Sequence, residues 1–272
     1  MVIIIAIIIG FISAFIGSLI GLGGGIVFVP AMLFLYEQFS TFSWATPQTI
    51  VGISLVTMVF TGLSSTIAYY KIGRVDTRTG ILFLIGSLPG SVFGSWINSQ
   101  LEVERFSLLF GLLMIIVFIM MLIDREKLMK KKEIHETKYT RTFHFDGKEY
   151  KYNVTYVPAF ILSFFVGALS GLFGIGGGTI SVPAMILFFG IPVQVAIATS
   201  MFMIFFISII SSTTHIFLGH IEWAYVLFFV IGSYIGGTVG AKTSKLFKGK
   251  TLEWFLRVVI VIAAIRLIID SF

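Results

Sequence analysis

The chain has 272 residues, 57% of them hydrophobic and 12% charged, and a mean hydropathy of +1.02, which excludes an ordinary soluble globular domain. Without cysteine there can be no disulfide, thiolate metal site or thiol relay. The formal charge of +6 comes from short segments between apolar runs, where positive-inside bias explains it, and such loops cannot build a basic groove with stacking aromatics for nucleic acid.

Residues 1–19 are apolar but lack a basic n-region and a small-residue cleavage site, so they are expected to stay in the mature fold. The run is then interrupted by Gly21-Leu-Gly-Gly-Gly and resumes near Pro30. Glycine costs a helix about 1 kcal/mol relative to alanine and an interior proline about 3 kcal/mol, so Gly23, Gly24 and Gly25 predict a break. A short second helix from about Phe28 would hold Pro30 in its first turn, where the missing N–H does no harm. After a connection over 36–47 come Gln48, Ser54 and Thr57, and then the apolar runs 81–97 and 106–123. These approach the roughly 20 residues that cross about 30 Å of hydrocarbon. Gly86, Gly90 and Gly94 recur every fourth residue, the spacing of close helix contact.

Segment 124–155 is hydrophilic and contains Arg125, Lys127, Lys130, Lys131 and Lys132. Its second part, around Asp146-Gly147, alternates aromatic with polar residues and reads as a small hairpin. A two-stranded hairpin alone is marginally stable, so a solvated connector is expected more than a regulatory or docking flap. Apolar runs return at 158–173, 196–217, 223–240 and 252–269. Between the first two of these lies Gly174-Ile-Gly-Gly-Gly-Thr-Ile-Ser-Val-Pro183, with Gly176, Gly177 and Gly178 at the expected break, Thr179 beside it and Ser181 as a plausible N-cap ahead of Pro183. Gln194, Thr199 and Ser200 follow, while Ser211 to His215 sit near the far end of a span, where His215 reads as interfacial.

The second motif repeats the first. Residues 21–32 and 174–185 are identical at eight of twelve positions. Gln48 matches Gln194, Ser54 matches Ser200, Gly73 matches Gly219, and Gly86, Ser87, Gly90 and Gly94 match Gly232, Ser233, Gly236 and Gly240, all at one offset. The division expected is a first membrane repeat over 1–123, a linker over 124–155 and a second repeat over 156–272. Lys and Arg mark cytoplasmic ends. The segment 71–78 has three of them and its partner turn at 219–222 has none, whereas 242–250 has four where its partner at 100–105 has one against two Glu. The sign reverses between matching loops, which defines an inverted-topology repeat. An all-α integral membrane protein is expected, multi-pass in the plasma membrane, with about five helical elements per repeat, a cytoplasmic linker and both termini outside.

Broken backbone at membrane depth must be buried in protein or line an aqueous cavity. Helix N-termini carry partial positive charge and free N–H groups, so two breaks meeting near the midplane would offer a small anion one pocket. The candidate contacts are Gly23, Gly24, Gly25, Pro30, Gln48, Ser54 and Thr57 in the first repeat. In the second they are Gly176, Gly177, Gly178, Thr179, Ser181, Pro183, Gln194, Thr199 and Ser200. Hydroxyls in membrane helices often bond only their own backbone, and Gly17, Gly21 and Gly25 also have small-xxx-small spacing, but packing alone does not ask for three adjacent glycines and a proline. No charged residue falls near the middle of an expected span, so a carboxylate proton relay has no support. An inside-negative potential drives anion exit by about 2.3 kcal/mol per charge per 100 mV, which favours export.

The paired Gly-x-Gly-Gly-Gly-x(4)-Pro blocks resemble the sulfite exporter TauE/SafE family of membrane permeases, over both halves outside 124–155. That resemblance implies outward transport of sulfite, an organosulfonate or a related sulfur oxyanion by a two-repeat helical fold, and it carries over to the glycines and prolines of the two blocks. The partners expected are the small anion, the bilayer and at most a second copy of the chain in a homodimer, with no cofactor and no metal. Carriage of an unrelated small solute or metal ion is the alternative. An embedded enzyme is disfavoured because no His-Glu-x-x-His, Gly-x-Ser-x-Gly or intramembrane carboxylate pair occurs, and a non-transporting assembly partner would use the hairpin for docking.

Overall fold

A computed structural model describes residues 2–122, 139–145 and 147–244. The run 252–269, Arg257, Arg266 and Asp270, the basic cluster 125–132, most of 242–250 and Asp146 of the expected turn lie outside the described residues. The first half contains α1 (Val2–Ile20), α2 (Gly25–Gln38), a single 3₁₀ turn at Ser40–Phe42, α3 (Pro47–Tyr70), α4 (Thr77–Asn98) and α5 (Val103–Leu122). A hairpin of β1 (Thr140–Phe145) and β2 (Lys148–Asn153) leads to α6 (Tyr156–Phe173), α7 (Gly178–Phe189), α8 (Val193–Phe217) and α9 (Trp223–Thr243). The protein is an all-α integral membrane protein. Among the described residues six helices of 18 to 25 residues are long and apolar enough to span a bilayer.

At 1.5 Å per residue the 19 residues of α1 extend about 28 Å, whereas α2 and α7, with 14 and 12 residues, extend only about 21 and 18 Å. Each half thus begins with one spanning helix followed by one that stops short. Thr46 caps α3 by accepting the Thr49 N–H at 3.4 Å, with Pro47 in the first turn, and Asp76 caps α4 by accepting the Thr79 N–H at 3.1 Å. Outward faces carry Ile81, Ile85, Trp96, Phe165 and Leu227, all more than half exposed, the surface expected against lipid.

The two most extensive helix interfaces join the halves: α1 lies along α9, and α4 along α6. Both are made by glycine stripes. A Cβ on Gly90 would sit 2.1 Å from the Phe164 carbonyl oxygen, and one on Gly236 would sit 2.2 Å from that of Phe11. The contacts are reciprocal, because Phe164 stands to Phe11 as Gly174 stands to Gly21. The equivalent helices α3 and α8 pack antiparallel. Gly52, early in α3, abuts the His220 carbonyl just beyond α8, Gly62 meets Phe205 at mid-length, and Thr199, early in α8, bonds the Asp76 N–H just beyond α3. Reciprocal contacts between antiparallel equivalents are what two oppositely directed copies of one unit produce.

The hairpin pairs Arg141 with Tyr152 and Phe143 with Tyr150, and the strand pleat puts these four on one face. Tyr152 is fully buried, whereas Thr142, His144, Glu149 and Lys151 on the other face are exposed. The hairpin therefore differs from the solvated connector expected: its aromatic face packs on the membrane domain, and the Tyr152 hydroxyl donates to the Asp76 carboxylate. Burial and that bond hold the Tyr152 phenol well above its ordinary pKa, so it remains a donor.

Candidate transport site

Both glycine segments break their helices. Gly21, Gly23 and Gly24 have φ of 77°, 87° and 97°, and Gly174, Gly176 and Gly177 have φ of 67°, 73° and 69°, a left-handed backbone that only glycine adopts routinely. The following helices start at Gly25 and Gly178, three or more residues earlier than a start near Phe28 or an N-cap at Ser181. The reason is that left-handed Gly24 and Gly177 turn the chain directly into helix, their carbonyls accepting the N–H groups of Phe28 at 3.0 Å and Ser181 at 2.9 Å; neither helix has a side-chain cap. Ser181 is an interior residue of α7. Pro30 and Pro183 lie inside their helices, beyond the first turn, and deprive the carbonyls of Ile26 and Thr179 of an i+4 donor.

The breaks meet each other. Ser200 Oγ donates to the Gly21 carbonyl at 2.6 Å, and Ser54 Oγ donates to the Gly174 carbonyl at 2.7 Å, which are equivalent bonds from equivalent residues. A Cβ on Gly25 would fall 2.1 Å from the Gly174 oxygen, and one on Gly178 would fall 2.2 Å from the Gly21 oxygen. Gly23 and Gly176 both face Met58 and Ile204, again an equivalent pair. The segments are buried inside the protein, in backbone contact with each other. The first amides of α2 and α7 have no partner one turn back in their own helices, and their partial positive charge accumulates at this crossing.

Other predicted residues lie elsewhere. Thr57 donates to the Ser54 carbonyl of its own helix at 2.7 Å. Gln48 Nε2 donates to the Leu101 carbonyl at 2.7 Å, tying the start of α3 to the α4–α5 turn. Gln194 is exposed at the start of α8, and Thr199 Oγ1 accepts the Asp76 N–H at 3.0 Å near the hairpin. Thr179 does lie at the break, with its hydroxyl buried and without a hydrogen-bond partner. Two residues absent from the sequence-based set share that condition. Ser13, whose carbonyl backs Gly24, and Ser170, packed on Gly177, also have buried hydroxyls without partners. Buried polar atoms are ordinarily paired, so these three hydroxyls have hydrogen bonds to give, as do those of Ser87, Ser95, Ser208 and Ser211 elsewhere. Sequence reasoning had no route to Ser13 or Ser170, since only the fold brings α1 and α6 back against the breaks.

A family model described as Sulfite exporter TauE/SafE matches residues 6–267. The chain is 41% identical over 269 residues, 98% of either chain, to "Probable membrane transporter protein YunE" of Bacillus subtilis (strain 168). It is 28% identical over 223 residues, 82% of this chain and 77% of the other, to a "Probable membrane transporter protein" of Xylella fastidiosa (strain Temecula1 / ATCC 700964). It is also 30% identical over 200 residues to "Sulfite exporter TauE/SafE family protein 6" of Arabidopsis thaliana, covering 71% of this chain and 41% of that one. No solved structure matches.

Proposed function

The chain belongs to the sulfite exporter TauE/SafE family, and from that premise we propose that it is a carrier for a small anion, sulfite or a short organosulfonate, moved outward at the crossing of the two helix breaks. As a member it is a membrane transporter; the choice of solute and site is our reading. One observation carries it: two helix N-termini, one from each half of the chain, come together beside three buried hydroxyls without partners. Amide donors and hydroxyls are what an oxyanion needs, and the negative interior of a cell drives its exit without a coupling carboxylate. Ser54 and Ser200 supply the gating contacts. Each now bonds the opposite break's carbonyl, and parting the breaks frees both hydroxyls for the anion.

Purified protein in liposomes should move labelled sulfite or methanesulfonate down its gradient. Gly24→Val and Gly177→Val should each abolish flux while the protein still elutes as a folded species, because both positions need positive φ. Flux surviving both replacements would remove the breaks from the mechanism. A wild type that moves none of the sulfur anions but does move another solute would remove the anion assignment and leave the site.

A further inference from the structure

Between the α3–α4 turn and the linker hairpin lies a cleft of about 620 Å³. It is separate from the breaks, and the transport reading gives it no task. Among the described residues its charged lining consists of one carboxylate, Asp76, and two guanidiniums, Arg78 and Arg141. The carboxylate is already committed within the wall. Its Oδ1 accepts the Thr79 N–H, and its Oδ2 accepts the hydroxyls of Thr79 and Tyr152. Asp76 therefore caps α4 and anchors the hairpin, and it is nearly inaccessible to solvent.

The arginines are differently placed. Arg141 lies on the inner, otherwise aromatic face of the hairpin, directly across from Tyr152 and beside Phe143. Its single hydrogen bond among the described residues is from Nη1 to Thr79 Oγ1 at 3.4 Å, whereas a guanidinium has five N–H donors. Arg78 is exposed in the first turn of α4, where the helix dipole disfavours a cation. Two positive charges thus line one concavity whose only carboxylate among the described residues is turned to other partners. Forked donors of this kind match the oxygens of sulfate and phosphate groups.

We propose that this cleft is an oxyanion-binding site, with Arg78 and Arg141 holding a sulfate- or phosphate-like group between the hairpin and α4. The occupant is a free oxyanion or the phosphate of an anionic lipid, since the cleft reaches Tyr156 where α6 begins. The inference does not depend on what the breaks transport.

The test uses the full chain in detergent, with sulfate and phosphate as probes against chloride at constant ionic strength. Wild type should show saturable thermal stabilisation by at least one of them, weakening as ionic strength rises. The Arg78→Gln/Arg141→Gln protein should bind at least tenfold more weakly. Arg141→Lys keeps the charge, loses the fork and should weaken binding several-fold, which preserves the test if the double variant does not fold. Phosphatidylglycerol that competes with sulfate, where phosphatidylcholine does not, identifies a lipid phosphate as occupant; no competition from either identifies a free anion. The proposal is overturned if wild type shows no saturable response, or if binding survives the double replacement.

Discussion

Tyr69 and His215 occupy the same place in the two repeats and perform the same task with different chemistry. Tyr69 donates its hydroxyl to the Ser18 carbonyl at 2.8 Å, three residues before the first break. His215 Nε2 lies 3.1 Å from the Gly171 carbonyl, three residues before the second. The next member differs too, for Arg74 stands in the first repeat where His220 stands in the second. A carbonyl can only accept, so His215 Nε2 carries the proton, its Nδ1 is an acceptor, and His220 Nδ1 donates to it at 3.0 Å. The tether at the hairpin end rests on a phenol, whose donor is present at every physiological pH, while the tether at the other end depends on two imidazoles in one particular tautomeric arrangement. The repeats are alike where the backbone breaks and unlike where each break is held.

That contrast can be broken most severely at the histidine. His215→Leu leaves the buried Gly171 carbonyl and the half-buried His220 donor without partners and removes a buried ring, which should cost about 3 kcal/mol, read as a lowered melting temperature in detergent. Tyr69→Phe keeps the ring and strands only the Ser18 carbonyl, so about 1–2 kcal/mol is expected by the same measurement. If the tyrosine change proves the costlier, the ranking of the tethers is reversed.

Acid sharpens the comparison further. Burial lowers the His220 pKa below its ordinary 6.5, so the folded state holds fewer protons than the unfolded one. The contribution is complete above about pH 6.5 and is lost as pH falls. Melting temperature should drop between pH 7.5 and 5.5, and His220→Asn should flatten the profile while Tyr69→Phe leaves its shape unchanged. The smallest effects belong to the breaks themselves. Ser54→Ala and Ser200→Ala each remove the bond to the opposite break, Ser200 losing also a contact to its own Ile197 carbonyl, and should cost about 1 kcal/mol apiece.

The breaks were legible in the sequence because glycine and proline act on the backbone where they stand; Gly23 to Gly25 and Gly176 to Gly178 interrupt helices whatever surrounds them. The glycine stripes were legible for a related reason, since a four-residue spacing states a packing face. The sequence pattern places the helix starts at the breaks too late, because a left-handed glycine begins α7 without the side-chain cap that Ser181 would supply. Less could be read of what depends on long-range closure. Gln48 and Gln194 match in sequence, yet one bonds the Leu101 carbonyl and the other is exposed, so repetition does not guarantee a shared role. The hairpin's alternation was visible, but not that Tyr152 would reach Asp76 across 76 positions of chain. Tyr69 and His215 were invisible as a pair because their residue types differ, and only their common acceptor position reveals the kinship.

The glycine stripes have a mechanical consequence. Gly86, Gly90 and Gly94 press α4 onto the backbone of α6, and Gly232, Gly236 and Gly240 press α9 onto that of α1, with no side-chain layer in between to slide or repack. Each welded pair takes one helix from each half of the chain, so the rigid bodies of any opening motion are not the halves that the sequence displays. What is left to shift against them is the central couple, α3 and α8, which carries Ser54 and Ser200 on the very strip where the broken segments touch.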